Sequence, residues 1–118
     1  MERKMKLLLD SVDVIYVTEF SFPDLLSSSG RALRFDYALF HSSEDLEAER
    51  PCMLIELHGR QHYEKRYQSL QQFEDQKSRD KKKKLYCEAK RIPLVIIPYT
   101  DYHSMNIEEI LEKGKFFE

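Results

Sequence analysis

The sequence predicts an α/β domain: a mixed central sheet of about four strands flanked by helices, in the order α-β-β-β-α-β-α. Three observations carry this. Residues 32–40, 52–58 and 92–99 are apolar runs of strand length. The polar stretch 41–51, ending in Pro51, is short enough to be a hairpin connection between the first two of these runs. Residues 69–90 separate the last two and read as one long helix, so that β-helix-β portion is expected to be a right-handed parallel crossover. At 118 residues the chain is expected to be a single domain, 1–118, with one modest core.

Residues 3–12 read as a helix, because Met5, Leu8, Leu9 and Val12 follow helical spacing. Residues 14–20, VIYVTEF, read as a strand in which alternation places Ile15, Val17 and Glu19 on one face. Pro23, the three-serine run 27–29 and Gly30 mark residues 21–30 as a loop. In the strand at 32–40, Leu33, Phe35, Tyr37 and Leu39 are expected on one face, and Arg34, Asp36, Ala38 and Phe40 on the other. The strand at 52–58 is apolar on both faces, as a central strand is, with Cys52, Leu54, Glu56 and His58 on one side. Residues 60–68 are irregular. In the 69–90 helix an apolar stripe runs through Leu70 and Phe73 and resumes at Cys87. The strand at 92–99 has Pro93 at its start and is ended by Pro98. A closing helix at 106–113 has Asn106 as its cap, Glu108 and Glu109 in its first turn, and Lys113 then Gly114 at its end.

Composition narrows the function classes. No apolar run reaches the roughly 18 residues of a membrane span. The N-terminal MERKMKLLLD is too short in apolar residues for a secretory signal, so an intracellular protein with no membrane partner is expected. Cys52 and Cys87 form no CxxC pair and no zinc spacing, and are expected to be reduced core residues. The net charge of −2 hides an asymmetry: residues 60–91 hold eleven Lys/Arg against five Asp/Glu, and the remainder eight against sixteen. A basic segment that follows carboxylate-bearing strands fits a phosphate-binding wall, and fits a solvated helix face as well.

Buried strands rarely carry unpaired carboxylates, since desolvating one costs several kcal/mol. Here two strands each carry one, Asp36 and Glu56. If those strands pair, the two acids can lie side by side and bracket Mg²⁺ or Mn²⁺, hard ions that favour oxygen ligands. The competing reading is internal pairing, for example Asp36 with Arg34. His58 can handle a water proton, or it can be a satisfied strand-end histidine. Gln61 and His62 follow Gly59, which is expected to permit a sharp turn. Continuing the long helix's stripe at helical period passes through Gln76, Lys77, Asp80, Lys83 and Lys84, so polar groups are expected to face inward there. Glu19 is either a further acid at the site or an edge-strand surface acid.

With these residues assembled, the chain resembles the PD-(D/E)xK nuclease superfamily, and within it the branch of very-short-patch repair endonucleases and phage or intron-encoded homing endonucleases. The resemblance spans roughly residues 5–100, through Glu19, LRFDYALF, LIELHGRQHY, DKKKKLYC and IPLVIIPY. It implies a restriction-endonuclease-like sheet and a metal-dependent DNA endonuclease. Asp36 and Glu56 match the family's metal carboxylates. His58 stands where the wider superfamily has lysine; the repair branch resembles this chain in having histidine there, and many phage relatives have aspartate. His58, His62 and Lys83 are the candidates for the lysine's part, and Asp80 with Lys83 matches a D-x-x-K pattern of these relatives. The repair enzymes' structural zinc site and a DNA-reading module are not matched.

The expectation is therefore a Mg²⁺- or Mn²⁺-dependent endodeoxyribonuclease. Asp36 and Glu56 bind metal with Glu19 nearby, His58, His62 and Lys83 act in catalysis, and Arg60, Gln61, Lys77, Asp80 and Lys84 line the phosphate. The alternative is a nuclease-fold module that binds DNA or a protein and is catalytically weak. So small a domain offers little surface for base readout, and a homodimer or a fusion to a targeting domain would supply it.

Overall fold

The computed structural model describes residues 2–117. Helix α1 (Glu2–Asp10) precedes strands β1 (Ile15–Leu26) and β2 (Ala32–Phe40). A short helix α2 (Ser43–Glu47), strand β3 (Met53–His58), helix α3 (Leu70–Lys90), strand β4 (Leu94–Pro98) and helix α4 (Ile107–Lys113) follow. One four-stranded sheet has the order β1-β2-β3-β4. The pairs β1/β2 and β2/β3 are antiparallel and β3/β4 is parallel, which makes the sheet mixed, as expected. Two apolar cores flank it. Met5, Leu9, Ile110 and Leu111 pack with Tyr37, Leu39, Ile55 and Val95, so α1 and α4 cover one face. Cys87 packs with Phe35, Ala38, Phe40 and Leu54, so α3 covers the other.

The structure corrects the sequence reading in four places. First, β1 continues six residues past Phe20, through the segment expected to be a loop. Phe22 and Leu25 are buried there, and Phe22 packs on Phe35 and Tyr86. Pro23 is tolerated because β1 lies at the sheet's edge, where a missing N–H breaks no ladder. Second, the 41–51 connection contains α2, capped by the Ser42 side chain accepting from Asp45 N–H.

Third, strict alternation fails in β1 and β2 at one level of the sheet. Ile15 and Val17 face the α3 core, and then Phe20 and Phe22 do. On β2, Phe40 and Ala38 face it, and then Phe35 and Leu33, while Tyr37 and Leu39 join the opposite core. The change falls at Glu19, whose φ is +53°, and at Asp36 across from it, between the Thr18–Tyr37 and Phe20–Phe35 pairs. Glu19 therefore does not continue the Ile15–Val17 face. One residue on each strand is involved, so the pairing register is the same on both sides of this level while both strands reverse their facing.

Fourth, the apolar stripe of α3 is weak. Leu70 is 60% exposed, and Cys87 is the helix's one buried residue. The helix is held at its start by a capping box between Ser69 and Gln72 and at its end by the Cys87 core contact. Its middle meets the sheet through polar side chains.

Candidate metal and nucleic-acid site

The site begins where the β2/β3 ladder stops. Backbone pairing covers Leu39–Met53, Ala38–Leu54 and Tyr37–Ile55 and goes no further. Beyond that point the two carboxylates replace the missing ladder bonds. Asp36 N–H donates to Glu56 Oε1 at 3.1 Å, and Leu57 N–H donates to Asp36 Oδ2 at 2.7 Å. Each acid thus fastens itself to the other's strand, and the groups are brought together with both backbones satisfied. Arg34, the alternative partner for Asp36, lies instead 3.9 Å from Glu19.

Helix α3 closes the site from above. Gln76, Asp80, Lys83 and Cys87 recur at helical spacing along its inner side. Lys83 Nζ lies 3.1 Å from Glu56 Oε2, with their side chains 14% and 5% exposed. The Lys83 ammonium also sits 5.3 Å over the Phe35 ring. Asp80 reaches His62 Nδ1 at 3.0 Å and His58 Nε2 at 4.0 Å. A 3-10 turn at Arg60–His62 brings His62 back beside His58, and the two imidazoles stack at 4.0 Å with planes 9° apart. Gly59 does not supply a positive φ, being extended at −68°; rather, a side chain there would meet the Gln61 side chain. Gln76 Nε2 lies 3.2 Å from His62 Nε2, and Gln76 Oε1 is buried with no protein partner.

Burial sets the electrostatics. Desolvation raises the Asp36 carboxyl above its ordinary range; the Leu57 N–H opposes this, Glu56 adds to it, Lys83 opposes it, and Glu2 adds to it. Desolvation also raises the Tyr63 phenol, with Asp80 adding to it. The Cys87 thiol is pushed up to about 11 by burial, and Cys52 likewise, so both free cysteines are unreactive thiols at neutral pH.

The remaining expected residues lie around this centre. Glu19 is exposed and lines, with Asp36, Glu2 and Lys6, a cavity of about 260 Å³. Lys77 and Lys84 are exposed and line a cavity of about 280 Å³ together with His58, His62, Tyr63, Asp80 and Lys81. Arg60 pairs with Glu64 at 3.0 Å and lies over Tyr99. The Gln61 side chain is exposed, and its carbonyl accepts from Gln68. The sequence reading missed a larger polar cavity, about 500 Å³, between the β1–β2 turn and the outer side of α3. Ser27, Ser28, Ser29, Arg31, Arg79 and Lys82 line it. Its available signal was the serine run after β1 combined with two cations three apart on α3.

The chain matches, over residues 25–113, the family described as protein of unknown function (DUF2726). No curated protein and no solved structure matches it. Among the described residues, no helix is long and apolar enough to cross a membrane.

Proposed function

The chain belongs to the DUF2726 family of unknown function, so its activity is to be read from its own site, and we propose that it is a divalent-metal-dependent endonuclease acting on DNA phosphodiesters. The observation that carries this reading is the enclosed Glu56–Lys83 ion pair beneath α3, with the Asp36 carboxyl close enough to feel both charges. Two strand carboxylates with one ammonium leave a net negative charge that is costly to bury, and a divalent cation would offset it.

The residues fit Mg²⁺ or Mn²⁺ by the chemistry of their donors. Asp36 uses only Oδ2 in its hydrogen bond, which leaves Oδ1 for a ligand. Glu56 already stabilises a cation, the Lys83 ammonium, at Oε2. Asp36 and Glu56 would hold the ion, with Glu19 at the mouth of the neighbouring cavity. Bound there, it would supply Lewis-acid polarisation of the phosphodiester and an acidified water. Lys83 then offsets the charge that grows on the phosphate oxygens. Asp80 accepts from His62 Nδ1–H, which leaves Nε2 as the basic nitrogen that takes a proton. Gln76, now against that nitrogen, must turn aside when it does. The cations of α3 and the Ser27–Arg31 turn offer phosphate contacts on two sides of the centre.

The test is cleavage of supercoiled plasmid and branched DNA. Nicking is expected with Mg²⁺ or Mn²⁺, none with EDTA, and none above background for Glu56→Ala. Salt-sensitive DNA binding without cleavage by any form would favour the binding-module reading. Cleavage that survives Glu56→Ala would place the chemistry elsewhere.

A further inference from the structure

Beside the two carboxylates lies a second donor set of different chemistry. His58, His62 and Asp80 each present one ligand atom, and these atoms all lie within 4.8 Å of one another. We propose that they form a second site, for a borderline transition-metal ion of the Zn²⁺ type, adjoining the oxygen-ligand site at Asp36 and Glu56, whose Oε2 lies 3.6 Å from His58 Nε2.

Four features of the cluster argue for it. Two imidazoles with one carboxylate are the donors of Zn²⁺ and Co²⁺ sites, whereas Mg²⁺ selects carboxylate, carbonyl and water oxygens. The donors are held in place: His58 is buried in β3, His62 is stacked on it, and Asp80 is fixed on α3. His62 Nδ1 is bonded to Asp80 Oδ2 at 3.0 Å, a separation a shared ion fits as well as a proton does. An outer acceptor is also at hand. When Nδ1 binds a metal, Nε2 must carry the proton, and a half-turn of the Gln76 amide brings its unpartnered Oε1 to that N–H.

Three protein ligands leave one position open, and it faces the cavity lined by Lys77, Lys81 and Lys84. These ammonium groups repel a bare cation and attract an anion to its open position, so inorganic phosphate should strengthen the binding. One consequence rests on the nuclease reading: the metal takes the His62 lone pair and Asp80 together, so Zn²⁺ should suppress Mg²⁺-dependent cleavage. The binding itself does not depend on that reading.

The experiment uses the full chain stripped of metals and titrated with Co²⁺, read by its visible d–d absorption, then with Zn²⁺ in competition. One tight Co²⁺ per chain, displaced by Zn²⁺, is expected, with affinity reduced at least tenfold in His62→Ala and in Asp80→Asn. Asp36→Asn should bind Co²⁺ as the wild type does. Circular dichroism confirms that each variant is folded; His62 sits on the 3-10 turn and belongs to neither apolar core, so its truncation spares both. Absence of a Co²⁺ spectrum would overturn the proposal. So would binding unchanged in both folded variants, or binding lost in Asp36→Asn, which would assign the metal to the carboxylates. Phosphate that leaves the affinity unchanged would overturn the anionic fourth ligand.

Discussion

Asp36→Asn is expected to make the metal-free protein more stable at pH 7 while removing its cleavage. Desolvation raises the Asp36 carboxyl above the unfolded value of 3.8. A raised folded pKa favours the folded state while the group is protonated, and that advantage is lost as pH rises through the folded pKa. At neutral pH the wild type therefore carries the cost of a desolvated charge next to Glu56, and asparagine does not. Its amide oxygen can still accept from Leu57 N–H, so the strand junction survives. A gain of about 1 kcal/mol is expected in urea denaturation with EDTA present. The gain should vanish below pH 3.8, where both side chains are neutral. Cleavage should fall by about 10³-fold, the several kcal/mol that a metal ligand supplies to the transition state. An equally stable variant at every pH would mean that Asp36 carries no electrostatic strain, and retained cleavage would remove it from the site.

Lys83→Met is the second large effect, and its sign is opposite. The side chains of Lys83 and Glu56 are almost wholly enclosed. Methionine keeps the packing over Phe35 but leaves a buried carboxylate without its cation. A loss of about 3 kcal/mol is expected. The double variant Glu56→Gln/Lys83→Met should recover most of it, since removing both charges leaves nothing uncompensated. A double variant no more stable than the single would show that the loss does not come from the unpaired Glu56 charge. Cleavage by Lys83→Met should fall roughly 10²- to 10³-fold, as for loss of one preorganised donor.

Some of this site could be read directly from residue order. Glu56 and His58 stood out because an acid and an imidazole interrupt a strand that is apolar on both faces. Asp80 and Lys83 stood out because an apolar helix stripe through Phe73 and Cys87 is polar between them, and both do point inward. The mixed sheet followed from connection lengths. What stayed hidden depends on backbone irregularity. Alternation assumes a regular strand, and nothing in VIYVTEF announces that Glu19 takes a positive φ. That one residue shifts the facing of both β1 and β2 at the level of Asp36. The extension of β1 past Pro23 was hidden for a related reason: Pro23 and the serines after it read as breakers unless the strand is known to lie at an edge. The His58–His62 stack needs the 3-10 turn between them, and RQHY carries no periodicity that reveals it. Arg31, Arg79 and Lys82 are ordinary surface cations in sequence and share a cavity only once α3 lies over the β1–β2 turn.

The most direct measurement of the central claim is an electron paramagnetic resonance titration of the metal-free chain with Mn²⁺. One site per chain is expected in the wild type, lost in both Asp36→Asn and Glu56→Gln and retained in His62→Ala. Mn²⁺ that fails to bind, or that binds equally well without Asp36 and Glu56, would contradict the reading that these two carboxylates share a cation.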